Sequence, residues 1–292
     1  MRNNMSEMLE KALKANLENS GSAYAGTLYE AMYYSVSAGG KRIRPLLTEL
    51  FCRACGGSEE LSLPFAEAVE YIHTYSLIHD DLPAMDNDDM RRGQPSNHIK
   101  YGEDMAILAG DGLLTRAFEV MLSPKALGVL SAERCVRAAY YLAKCAGADG
   151  MVGGQCIDIS SEGREITEDE LNDLIYGKTV CLIKAACGMG VIAAGGTDEE
   201  LASAEAYAEG IGFAFQIRDD ILDVIGSSEK LGKNTGMDKA NEHLNYVTLY
   251  GTEGAQKLVD SHTAAAITAL ENFHGDTAEL KALALKLASR DS

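Results

Sequence analysis

Positive charge is scarce in this chain. Its 292 residues carry 26 Lys plus Arg against 44 Asp plus Glu, a formal charge of −18. That deficit argues against a nucleic-acid binder, because phosphate backbones are gripped by clustered Lys and Arg. It leaves phosphorylated small molecules open, since an acidic protein can hold an anion through metal ions and a few placed cations. Proline is missing from Lys125 onward: all five, Pro45, Pro64, Pro83, Pro95 and Pro124, come earlier. Nothing of that kind interrupts helices in the later part. A long apolar run is missing as well. The longest stretch without charge, Ala185 to Thr197, is too short and Gly-rich to span a bilayer, so no membrane partner is expected. Met1 to Glu18 lacks the apolar heart of a signal peptide and reads as an amphipathic first helix. The seven cysteines, odd in number and scattered from Cys52 to Cys187, indicate neither a disulfide framework nor a zinc ribbon. A reducing cytoplasm suits them.

What is present is apolar residue, 46% of the chain, enough to bury a full core in one large domain or two ordinary ones. Alternating β patterns are few and helical spacing recurs. Leu171, Leu174, Ile175 and Lys178 follow i, i+3, i+4, i+7, and Thr167-Glu168-Asp169-Glu170 reads as a helix N-terminus with acids in its first turn. Leu201 to Ile225 and Ala255 to Leu287 read the same way, while Tyr34 to Pro45 and Leu231 to Asn245 read as long junctions. The expectation is a single all-α domain spanning 1–292, a helical bundle of roughly ten helices.

Two acidic clusters interrupt that pattern. The first, Asp80-Asp81-Leu-Pro-Ala-Met-Asp86, follows the helix-like run Tyr71 to His79, and Pro83 then forces the chain out of the helix. Asp80 and Asp81 therefore fall at a helix C-terminus, where the macrodipole disfavours anions. The second is Asp219-Asp220-Ile-Leu-Asp223. On a helix, Asp219 and Asp223 stand within about 40° of each other. Stacked carboxylates with apolar flanks are costly unless a cation lies between them. Oxygen-only ligands favour a hard cation, and Mg2+ takes one or two carboxylates plus substrate phosphates. Placed cations accompany the clusters: Lys41, Arg42 and Arg44 after the flexible pair Gly39-Gly40, then Arg91-Arg92-Gly93, Lys178 and Lys233. Taken singly, each acidic or basic group reads as a solvated surface face; together they read as a diphosphate cradle.

Gly39-Gly40-Lys41-Arg42-Ile43-Arg44-Pro45, Ser76 to Gly93, Gly153-Gly154-Gln155-x-x-Asp158, Lys178-Thr179 and Phe215-Gln216-x-x-Asp219-Asp220-x-x-Asp223 together resemble the signature set of trans-polyprenyl diphosphate synthases. Order and spacing are similar to the bacterial farnesyl diphosphate synthase branch. The resemblance implies an all-α isoprenoid synthase fold whose two aspartate motifs face each other across a central cavity, a homodimer, and three Mg2+ ions. It assigns metal to Asp80, Asp81, Asp86, Asp219 and Asp223, and allylic diphosphate to Arg91, Lys178 and Lys233. Isopentenyl diphosphate falls to Lys41, Arg44, His73 and Arg92, and the developing cation to Thr179 and Gln216. Gln155 and Asp158 are implied to support these groups and not to bind. Tyr75 and Ser76, five and four positions before Asp80, would set product length, and an aromatic ring there implies a C15 product. One departure is His243, standing where the family carries a loop lysine. It implies weaker lid closure.

Three rivals stand beside a farnesyl diphosphate synthase. A geranylgeranyl diphosphate synthase differs only in product length. A class I terpene cyclase would use a motif such as Asp111-x3-Thr115-x3-Glu119, but lying far downstream of the first cluster. A non-catalytic partner subunit would have lost aspartates that are all present here.

Overall fold

The computed structural model describes residues 2–18, 25–230 and 244–290. Lys233 and His243, with most of the expected junction at 231–245, lie outside the described residues. Within them the fold is all-α, as expected, with fourteen α-helices and one two-stranded ribbon. The count exceeds the expected ten partly because one- and two-turn helices such as Asn97–Tyr101 and Pro124–Val129 are too short to show a periodic pattern.

The chain divides into two compact units. The first comprises Met1–Leu142 with Gly188–Gly196. It contains α1 (Arg2–Asn16), α2 (Gly26–Ser37), α3 (Ile43–Ala54), α4 (Glu59–Asp80), β1 (Met90–Arg91), β2 (Gln94–Pro95), α5 (Asn97–Tyr101), α6 (Glu103–Met121) and α7 (Pro124–Val129). It also holds most of α8 (Ala132–Ala146). The centre is α4, which packs against α3 and α6. Ser62 to Ile72 is buried without a break, so this helix is enclosed on every side, and it ends at the first acidic cluster. The junction expected over Tyr34 to Pro45 is shorter, 38–42. Val36 is 1% exposed and completes the apolar face of α2. Pro45 occupies the third position of α3, where its missing N–H costs no helical bond.

Cys52 of α3 and Cys55, the residue that caps its C-terminus, have the C-x-x-C spacing. Burial pushes the Cys52 thiol up to about 12, the opposite of a redox-active thiolate. Another buried titratable group in this unit is Glu67 of α4, 2% exposed and hydrogen-bonded by the Asn16 amide. Burial lifts its carboxyl to about 7, against the opposing pull of Asn16, Lys125 and Arg116. The fold favours the neutral form. Its contribution is complete below the ordinary value of 4.5 and is lost as pH rises through about 7. Thermal melts should therefore fall more for the wild type than for Glu67→Gln between about pH 5 and about pH 8. Parallel curves would show that Glu67 does not titrate in that window.

The second unit comprises Ala143–Cys187 with Thr197–Ser292. It contains α9 (Met151–Ser161), α10 (Glu168–Ile175), a π-turn at Tyr176–Val180, the first half of α11 (Cys181–Ala194), α12 (Asp198–Lys230), α13 (Tyr246–Ala269), a 3-10 turn and α14 (Ala278–Ala288). The expected helix start at Thr167 is a full capping box, the Thr167 hydroxyl accepting from the Glu170 N–H while the Glu170 carboxylate accepts from the Thr167 N–H. Leu171, Ile175, Val180, Phe213, Ile217 and Ile221 bury the seam between this start and α12. Glu168–Ala194 is long and apolar enough to cross a membrane, but 78% of its apolar window is buried within the protein. It is a core helix.

Candidate active site

In the first unit, the chain turns sharply after α4. The Asp86 N–H donates to the Asp80 carbonyl at 2.8 Å, and the Asn87 N–H to Leu82 at 3.1 Å. This turn folds the end of the cluster back onto its beginning, with Asp80 half-buried and Asp86 exposed. Asp81 is different. It is 2% exposed, and Arg91 Nε donates to its two carboxylate oxygens at 2.9 and 3.2 Å. Asp81, expected at a metal, is therefore held by the arginine expected at a diphosphate, and Arg91 stays fully charged beside it.

Arg91 and Arg92 sit on a tight ribbon. Its two loop residues, Arg92 and Gly93, both have positive φ, 54° and 78°, as a two-residue hairpin requires. The Arg92 guanidinium donates to the Gly39 carbonyl, and a Cβ on Gly40 would lie 2.9 Å from it. The Gly pair thus lets backbone approach an arginine closely. Arg44 stands beside this contact with its Nε shut from water and without a hydrogen-bond partner among the described residues. His73 lies amid Arg44, Arg92, Arg42 and Arg91; burial first, then these cations, holds its imidazole far below the ordinary value and so neutral. Lys41 is exposed at the rim. An orphaned buried donor in a cluster of arginines fits an anion.

On the same helix, Tyr75 is 6% exposed and meets His79 edge-on at 5.8 Å. The Ser76 hydroxyl donates to the His73 carbonyl at 3.0 Å. Asp111, Thr115 and Glu119 lie exposed along α6, and Glu119 accepts from Arg116 at 2.6 Å.

In the second unit, Asp219 and Asp223 share one face of α12 as expected. Asp223 is exposed, while Asp219 pairs with Arg290, whose guanidinium stacks on Phe215 at 3.7 Å. Asp220 turns elsewhere: it accepts from the Tyr246 N–H at 3.1 Å and from the Gln216 amide at 3.3 Å. Burial raises its pKa against these two bonds. Gln216 in turn accepts from the Thr179 hydroxyl at 3.4 Å, so the two groups expected near the cation are linked. Lys178 and Thr179 ride on the π-turn, and Lys178 pairs with Asp158 of α9.

Among the described residues no three His, Cys, Asp or Glu side chains form a ready-made metal cage. Mg2+ keeps waters and borrows ligands from substrate phosphates. The donors are all carboxylate oxygens on a folded turn or one helix face, a set that fits this ion.

A sequence profile described as polyprenyl synthetase matches residues 25–283. The chain belongs to the polyprenyl synthetase family. It is 43% identical over 290 residues to the farnesyl diphosphate synthase of Geobacillus stearothermophilus, covering 99% of this chain and 96% of that one. Identity is 46% over 269 residues with the heterodimeric geranylgeranyl pyrophosphate synthase large subunit 1, chloroplastic, of Arabidopsis thaliana, covering 91% and 72% respectively. The crystal structure of an FPP/GFPP synthase from Zymomonas mobilis superposes with a TM-score of 0.84 at 31% identity, over 99% of this chain and 100% of that one. As a polyprenyl synthetase with the isoprenoid synthase fold, the protein is a prenyltransferase.

Sequence reasoning missed two groups in this prenyltransferase, Glu70 and Arg290. Arg42 and Glu70 form a short ion pair at 2.6 Å. An acid set in the apolar run Ala68-Val69-Glu70-Tyr71-Ile72, three residues before His73, was the available signal. Arg290 carries no local signal at all, because only tertiary packing brings it to Asp219.

Proposed function

We propose that the chain is a Mg2+-dependent trans-prenyltransferase that condenses geranyl diphosphate, and also dimethylallyl diphosphate, with isopentenyl diphosphate to give farnesyl diphosphate and diphosphate. One observation carries the reading: α4 ends in a folded carboxylate turn, and the neutral histidine of the same helix, His73, lies amid arginines brought by the 38–42 loop, α3 and the β1–β2 ribbon. The C–O bond of the allylic substrate breaks and its electron pair leaves with diphosphate. The isopentenyl double bond supplies the pair for the new C–C bond, and loss of a proton restores a double bond. Mg2+, when bound, supplies positive charge that stabilises the departing diphosphate; Asp80, Asp86, Asp219 and Asp223 are the residues to hold it. Arg44, Arg92, Lys41 and neutral His73 bind isopentenyl diphosphate. Lys178, Arg91 and Lys233 orient the allylic diphosphate. Thr179 and Gln216 offer linked dipoles to the cation. Water must be excluded, since it quenches the cation.

Homodimerisation is supported by apolar side chains left in water on the first unit. Leu108 is 52% exposed, Val136 61% and Tyr140 68%, the last two one helical turn apart. The test of function is incubation with Mg2+, geranyl diphosphate and isopentenyl diphosphate. Chain extension supports the reading; a cyclic hydrocarbon or no turnover points to the cyclase or partner-subunit alternatives.

Product length is the second part of the proposal, because the relatives bear both farnesyl and geranylgeranyl names. The bulk and burial of Tyr75, more than a turn before Asp80, favour C15. Tyr75→Ala should open the floor and shift products to C20 or beyond. Chromatography that still shows a C15 ceiling would reject Tyr75 as the floor.

A further inference from the structure

The anchor of the arginine cluster is an acid. Glu70 lies on α4 with its side chain 2% exposed, and its carboxylate accepts from Arg42 Nη1 at 2.6 Å. Arg44 and Arg92 are within electrostatic reach of the same carboxylate. Arg42 itself is a knot. Its Nε donates to Glu10 of α1 at 2.9 Å and its Nη2 to the Val36 carbonyl of α2 at 2.7 Å. Its backbone is left-handed, with φ of 46°, a conformation an arginine does not adopt without support. Arg42 ends the 38–42 loop that carries Gly39, Gly40 and Lys41, and Arg44 follows in the first turn of α3.

The helix adds a fixed spacing. Glu70 and His73 are three residues apart and share a face of α4. Asp80 follows ten residues after Glu70, a rise of about 15 Å on a straight helix. One rigid element therefore sets the distance from the acid that gathers the arginines to the turn that carries the carboxylates.

We propose that Glu70 is the positioning residue of the isopentenyl diphosphate subsite: through Arg42 it holds the 38–42 loop, so that Lys41, Arg44 and Arg92 converge at His73. The inference rests on the function proposed above. It also decides between two physical roles for a buried acid among arginines. A carboxylate that merely neutralised them would weaken anion binding, and its removal would tighten it. A carboxylate that arranges them does the reverse.

The test is steady-state turnover with Mg2+ and saturating geranyl diphosphate while isopentenyl diphosphate is varied, then with the roles exchanged. For Glu70→Gln the KM for isopentenyl diphosphate should rise about tenfold and that for geranyl diphosphate change by less than about twofold, since the loss falls on one cluster of charge-assisted bonds. Glu70→Asp, which keeps the charge, should recover part of that rise. An unchanged or lowered isopentenyl KM overturns the proposal, as does an equal rise in both constants, which would mark a general loss of structure. If Glu70→Gln does not fold, Glu10→Gln tests the same knot from its exposed side. It should raise the isopentenyl KM about twofold to fivefold, and an unchanged value overturns the proposal. A wild-type protein that does not condense the two substrates sinks the functional reading and this inference with it. Wild-type turnover with an unaltered variant sinks the inference alone.

Discussion

Asp80→Ala and Asp219→Ala are each expected to lower kcat by several orders of magnitude while leaving the fold intact. Asp80 ends α4, and the Asp86 N–H on its carbonyl ties the two carboxylate-bearing residues into one turn. The Ala variant keeps that backbone bond and removes only the carboxylate. Asp219 stands on α12 with its side chain 36% exposed, so its removal opens no apolar cavity. What each variant loses is a group that positions positive charge against a diphosphate leaving group. Leaving-group stabilisation of this kind is usually the largest single contribution to such a rate. The measurement is kcat with saturating substrates over a range of Mg2+, alongside thermal melts. Near-normal turnover in either variant would sink the carboxylate assignment. A collapsed melt for Asp219→Ala would show instead that its Arg290 partner is needed for folding.

Gly154→Ala should be the next most damaging, for a steric reason. A Cβ at this position would overlap the Lys178 backbone N and lie 2.8 Å from the Gly177 Cα. Both obstacles are backbone, so α9 and the π-turn must separate. Overpacking of this sort costs about 1–3 kcal/mol, and more where backbone must shift. The movement falls on Lys178 and Thr179, and an error of about 1 Å in a positioning group can cost about a hundredfold in rate. We expect a loss of at least about that size in kcat with a lowered melting temperature. Gly128→Ala on α7 is the control: nothing lies within 4 Å of the place its Cβ would take, and both readouts should hold. Unchanged kcat in Gly154→Ala would show that the π-turn does not depend on this contact.

The fold class was legible because helical periodicity is local. The capping box at Thr167, the end of α4 near Pro83 and the common face of Asp219 and Asp223 all follow from residues within a turn or two of each other. The aspartate motifs and the basic pairs were legible for a related reason: charges placed against local preference mark themselves in a linear string. The Arg92-Gly93 hairpin has its signal in sequence as well, a glycine following a residue that must take positive φ.

Pairing was not legible. Asp81 goes to Arg91, Lys178 to Asp158, Asp219 to Arg290 and Arg42 to Glu70, and the last two pairs span 71 and 28 positions of sequence. A sequence names charged groups but not their distances, and electrostatic energy depends on distance and burial. The same limit hid the thiol of Cys52 and the carboxyl of Glu67, whose raised pKa values come from burial. Residue types and helical register were therefore set by the chain itself. Which charge meets which, and which is withdrawn from water, was decided by packing, because only the packed helices bring distant residues together and exclude solvent from between them.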